Sequence, residues 1–122
     1  MKLEVGQFAR LKSGYICKII NINDFREPNM KYGVEANYLK DVMFIGDDDV
    51  VKASYAIIDI LEEGDYVNGQ KVVAIHEHYV WDEEDIGTAL ETEHEYTAIL
   101  NEDIKSIVTH EQMKQMAYKV GD

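Results

Sequence analysis

Residues 61–75 read LEEGDYVNGQKVVAI, and residues 3–20, LEVGQFARLKSGYICKII, follow the same plan. Each has Leu-Glu-x-Gly, a polar residue, an aromatic, a short apolar step, a turn and an apolar run that reaches Ile. Gly adopts positive φ without steric cost, so Gly6 and Gly64 each mark a tight turn into a strand. Asn68-Gly69 is the strongest hairpin signal in the chain, because both central positions of a type I′ turn need positive φ. Ser13-Gly14 plays that part in the first copy, between Phe8-Ala9-Arg10-Leu11 and the run that starts at Tyr15.

A small chain that begins twice is expected to hold two β units, residues 1–50 and 56–122, each too short to bury its own sheet well. The expected class is mainly β (α+β): two small SH3-like or half-barrel units packed together, or one compact domain, with one short C-terminal helix. Similar turn chemistry alone would also produce the likeness between the copies. Residues 33–45 read as a short helix followed by a strand, or as strand throughout, since the apolar spacing does not separate the two. Residues 50–61, VVKASYAIIDIL, are equally ambiguous and apolar enough for core. Thr109-His110-Glu111-Gln112 matches the capping box T-x-x-Q and predicts a helix of two or three turns, with Met113, Met116 and Ala117 as its apolar face. Strand-like residues 104–108 precede it.

At 122 residues and 46% apolar content the chain can build a core, and 30% charged residues with one Pro give no sign of long disorder. No apolar run approaches the ~18–20 residues that span a bilayer, and no basic-then-apolar leader stands at Met1. A soluble, cytoplasmic protein is expected, with no membrane partner. The lone Cys17, inside the apolar run YICKII, is expected to be a small buried hydrophobe.

Net charge is −12, unevenly placed. Through Lys40 there are seven Lys/Arg against four Asp/Glu; from Asp41 onward there are five against twenty. Such a surface repels nucleic acid and anionic membrane and attracts basic proteins or cations.

The acidity concentrates after residue 72. A long strand over 72–81, VVAIHEHYVW, an acidic turn and a second strand over 90–100, LETEHEYTAIL, are expected to form a hairpin. Alternation puts Val72, Ala74, His76, His78 and Val80 on one face, and His94 with Leu90 and Thr92 on the facing strand. His94 is then expected opposite His76 or His78, and the three imidazoles could hold Zn²⁺ or a similar ion. The other faces carry Glu77, Tyr79 and Trp81, then Glu91, Glu93 and Glu95, with Asp82, Glu83, Glu84 and Asp85 at the tip. No Lys or Arg occurs between Val72 and Ile104. Alternate carboxylates on a strand lie about 6.5–7 Å apart, close to the phosphate spacing of a nucleic-acid strand. These ten residues are the candidate partner-binding set, with Tyr79 and Trp81 as aromatic anchors. A solvated face that blunts a sheet edge is the plainer reading of the same pattern.

No phosphate-loop, dinucleotide or G-x-S-x-G signature occurs, and Ser13, Ser54 and Ser106 lie in no recognisable nucleophile arrangement. No catalytic residue is assigned.

The segments IIDILEEGDYVNGQKV and IKSIVTHEQMKQMAYKV resemble a group of small proteins encoded by phages and prophages of Gram-positive bacteria. The likeness covers mainly residues 56–75 and 104–120, with a weaker echo at EVGQFARLKSG. It implies a phage accessory protein acting in the bacterial host, and it carries over no functional residue. With the charge split it leads to an expectation of a counter-defence inhibitor, anti-CRISPR-like, that blocks a basic nucleic-acid-binding host protein such as a defence nuclease. The alternative is a sponge for a nucleotide immune signal, with a pocket at the interface of a homodimer drawing on Arg10, Lys12, Tyr15, Lys18 and Arg26, with Phe8 as a further aromatic candidate. A virion or assembly protein is the third reading.

Overall fold

Four hydrogen bonds recur in both copies of the opening motif and fix how each unit starts. In the first, Gln7 N–H bonds Glu4 O (3.3 Å), the Gln7 side chain accepts from Glu4 N–H (2.9 Å), and Gly6 N–H and Gln7 O bond Ile19 (2.8 and 2.9 Å). In the second, Asp65 N–H bonds Glu62 O (3.1 Å), the Asp65 carboxylate accepts from Glu62 N–H (2.7 Å), and Gly64 N–H and Asp65 O bond Val72 (2.9 and 2.8 Å). Gly6 and Gly64 have φ of +96° and +95°, the left-handed region that their turns require.

The structure, a computed structural model, describes residues 2–36, 39–80, 86–94 and 98–116. Contacts divide the chain into two units, Met1–Ile60 and Leu61–Asp122. In the first, strands β1 (Phe8–Leu11), β2 (Ile16–Ile22), β3 (Tyr32–Glu35), β4 (Met43–Ile45) and β5 (Val50–Ser54) form one antiparallel sheet in the order β4-β3-β2-β1-β5. Residues 33–35 and 43–45 are thus strand, so the reading that opens with a helix gives way at 33–35, and residues 37 and 38 lie outside the described residues. Ala9, Leu11, Cys17, Ile19, Val34 and Val50 lie in this unit's core. Cys17 is buried as expected.

In the second unit, β6 (Tyr66–Val67), β7 (Gln70–Val80), β8 (Ile86–Thr92) and β9 (Ile107–Val108) give the order β8-β7-β6-β9, with Ile99 bridged to Leu90 beyond β8. Counting that bridge as the place of a fourth strand, both units share one order. Each last strand also follows a 3-10 turn closed in the same way. Asp49 accepts from Gly46 N–H (2.9 Å) before β5, and Asp103 accepts from Leu100 N–H (3.0 Å) on the way to β9. Among the described residues the class is mainly β, as expected, with two antiparallel sheets that are not closed into barrels and one short C-terminal helix.

Asn68 (φ +53°) and Gly69 (φ +81°) make the expected turn between β6 and β7. The capping box also forms: Gln112 Oε1 accepts from Thr109 N–H (2.9 Å) and Thr109 Oγ1 from Gln112 N–H (3.3 Å), opening helix α1 (His110–Met116). Met113 is exposed, so it does not serve as the helix's apolar face. Strand structure before α1 shrinks from 104–108 to β9.

Candidate functional site

The hairpin β7–β8 forms, but in a different register from the one alternation predicts. The second strand starts at Ile86 rather than 90, and Val80 pairs with Ile86 and Val72 with Thr92. Two bulges, between Val72 and Ala74 and between His76 and Tyr79, take up the difference, and His78 sits in the second with φ +60°. A bulge ends strict alternation, which is why faces counted by twos from Val72 fail from Ala74 onward.

That register dissolves the three-histidine set. His76 stands opposite Ala89, whereas His94 lies past the end of β8, where Glu93 N–H bonds Lys71 O (3.1 Å). His94 is therefore five residues beyond the partner of His76 along the ribbon, on the order of 16 Å at the rise of an extended strand. Their neighbours are carboxylates: His76 Nε2 is 4.0 Å from Glu91 and His94 Nε2 is 3.9 Å from Glu93.

The acidic character of the arm survives the change. Glu77, Glu91 and Glu93 are all exposed. At the far end of the described arm, Tyr79, Val80 and Ile86 are exposed too, the last two at 57% and 59%. An apolar step thus lies beside carboxylates. Trp81, Asp82, Glu83, Glu84, Asp85 and Glu95 lie outside the described residues.

The alternative ligand set does not assemble into one site. Arg10 is 1% exposed, and its Nη1 donates to Ile60 O at 3.2 Å, so this cation belongs to the interior of the first unit. Arg26 packs over the Phe44 ring at 4.0 Å. Lys18 alone of the five lines a cleft of about 500 Å³ in the first unit, together with Phe8, Ile16, Glu35, Lys40 and Val42 among others. Its ammonium lies over the Phe8 ring at 5.8 Å. Cys17 also reaches this cleft, but burial pushes its thiol up to about 11, so it is not a nucleophile near neutrality.

A further cluster went unnoticed in the sequence. His110, the first residue of α1, brings Nε2 to 2.8 Å from Glu62 Oε1 and 2.5 Å from Glu111 Oε1. All three side chains are half-buried. The buried Asp65 fixes both segments, accepting from Glu62 N–H through Oδ2 (2.7 Å) and from His110 N–H through Oδ1 (2.9 Å). Positions 62 and 110 are far apart in sequence, and the only linear hint was that each belongs to a recognised local motif: the Gly turn and the capping box.

No helix among the described residues is long and apolar enough to cross a membrane. Set against protein-family models, curated proteins and solved structures, the chain matches none.

Proposed function

We propose that this chain is a binding protein that presents the β7–β8 arm, carboxylates outward, to a basic groove on a protein partner. The observation that carries the reading is the pairing of exposed Glu77, Glu91 and Glu93 with exposed Tyr79, Val80 and Ile86 on one ribbon that has no Lys or Arg after Lys71. Carboxylates steer a cationic surface and set register, while the apolar and aromatic groups supply the desolvated contact that holds it. The imidazoles of His76 and His94 stand 4.0 and 3.9 Å from the Glu91 and Glu93 carboxylates, beyond hydrogen-bond distance. A groove built for a phosphate chain has the complementary charge. Together with the resemblance to phage proteins, this makes a counter-defence inhibitor of a nucleic-acid-binding host protein the leading role.

The test is capture from a bacterial host lysate by the immobilised chain, with double-stranded DNA as eluting competitor. A basic protein retained by the wild type, displaced by DNA and lost with Glu77→Lys, Glu91→Lys and Glu93→Lys together, is the expected result. Equal capture by a triple variant with an unchanged circular dichroism spectrum would end the proposal.

A second reading, a small-ligand binder, rests on the Phe8–Lys18 cleft. Its polar lining mixes Lys18 and Lys40 with Glu35 and Asp41, which suits an anionic nucleotide less well than an all-cationic pocket would.

A further inference from the structure

The two units build the same clasp from different chemistry. After its last strand each chain segment returns to the opening Gly turn: a Cβ on Gly6 would lie 3.5 Å from the Tyr55 ring, and one on Gly64 would lie 3.6 Å from His110 Cβ. In the first unit the Tyr55 hydroxyl donates to Glu4, the first Glu of the motif. In the second, His110 Nε2 meets Glu62, the matching Glu, and Glu111 is added where the first unit has Ala56. Closing the turn therefore needs only one hydrogen bond between a phenol and a carboxylate. The second unit has an imidazole and a second carboxylate beyond that need.

We propose that Glu62, His110 and Glu111 form a site for one divalent metal ion of borderline character, with Zn²⁺ the closest fit. An imidazole Nε2 carries at most one proton, and one N–H points well at one acceptor, yet two carboxylate oxygens approach this nitrogen at 2.8 and 2.5 Å. An ion in the proton's place bonds all three donors at once and balances both carboxylates. The ligating atoms all lie within 4.8 Å of one another. A tetrahedral Zn²⁺ with bonds of about 2.1 Å sets its ligands about 3.4 Å apart, so each carboxylate needs to draw away from His110 Nε2 by less than about 1 Å. Imidazole nitrogen and carboxylate oxygen are both donors that Zn²⁺ takes, and three protein ligands leave a fourth position for water or a group from a partner. Asp65 supports the set from behind by holding the backbones of Glu62 and His110, so the donors come from two segments already fixed in place. This site is independent of the acidic arm and of the partner proposed for it.

Calorimetric titration of the full chain with Zn²⁺ tests the assignment. One saturable equivalent is expected, lost in His110→Tyr, which recreates the clasp of the first unit and so keeps the fold, as circular dichroism checks. Glu111→Gln should weaken binding by more than about tenfold, and His76→Gln with His94→Gln should leave it unchanged. X-ray absorption should find a single imidazole in a shell otherwise of oxygen. Absence of saturable binding, undiminished binding in His110→Tyr, or a shell with two or more imidazoles would each overturn the site.

Discussion

Cys17 shows how little a residue's type decides before its surroundings are known. It sits in β2 opposite Ala9, with Sγ 3.8 Å from Ala9 O and 2% of its surface exposed. Burial withholds the water that a thiolate needs, and the thiol rises to about 11. The folded chain then keeps its proton after the unfolded chain has lost its own. This contribution to stability is complete below about pH 9 and declines as pH rises from there towards about 11. Iodoacetamide at pH 8 should leave Cys17 unmodified in the native protein and alkylate it after unfolding, as mass spectrometry would read. Arg10 teaches the same lesson in the other direction. Its place in a basic stretch suggests a ligand contact, but alternation along β1 puts it on the face opposite the core residues Ala9 and Leu11, and that face is buried too, with Ile60 O accepting from the guanidinium.

At the scale of elements, turns were the most legible part of the sequence. Gly6, Gly64, Asn68-Gly69 and the Thr109–Gln112 box depend on a few neighbouring atoms, and each forms where the residues placed it. The second hairpin has a further role that no local pattern announces. Asn68 Oδ1 accepts from Lys105 N–H (2.7 Å) and Ser106 N–H (3.1 Å), and its Nδ2 donates to Asp103 O (2.9 Å), so one turn residue holds the approach to β9. Gly69 faces open space and contributes only its backbone freedom. Asn68→Ala should therefore cost about 2–3 kcal/mol, from three lost bonds, and Gly69→Ala about 1 kcal/mol, from strain alone. Urea unfolding of both variants would measure the difference. What the sequence hid was long-range. The two bulges in β7 depend on how β8 fits beside it, and a count by twos has no term for them. The convergence of Glu62 with His110 likewise follows from β6 lying beside β9, a pairing that brings together residues from the two ends of the unit.

Over the whole molecule, the charge follows the division into units. Residues 1–60 carry eight Lys/Arg and nine Asp/Glu, and residues 61–122 carry four and fifteen, so −11 of the net −12 belongs to the second unit. The like order of strands in the two units makes this contrast informative, because one architecture bears two very different surfaces. If net charge alone attracted a basic partner, any reversal of equal size would weaken binding equally. If the arm is the contact, position decides. Asp47→Lys with Asp48→Lys, in the first unit, and Glu91→Lys with Glu93→Lys, in the second, change the charge by the same amount. The first pair, which is no part of the arm, should shift the partner's dissociation constant by less than about threefold at 0.15 M salt, where screening weakens attraction that depends on net charge alone. The second pair should weaken it by more than about tenfold, mainly through contact charges, and the wild-type interaction should itself fade as salt rises. Surface plasmon resonance across a salt series would separate the two, and equal losses from both pairs would return the acidity to the role of a solubilising surface.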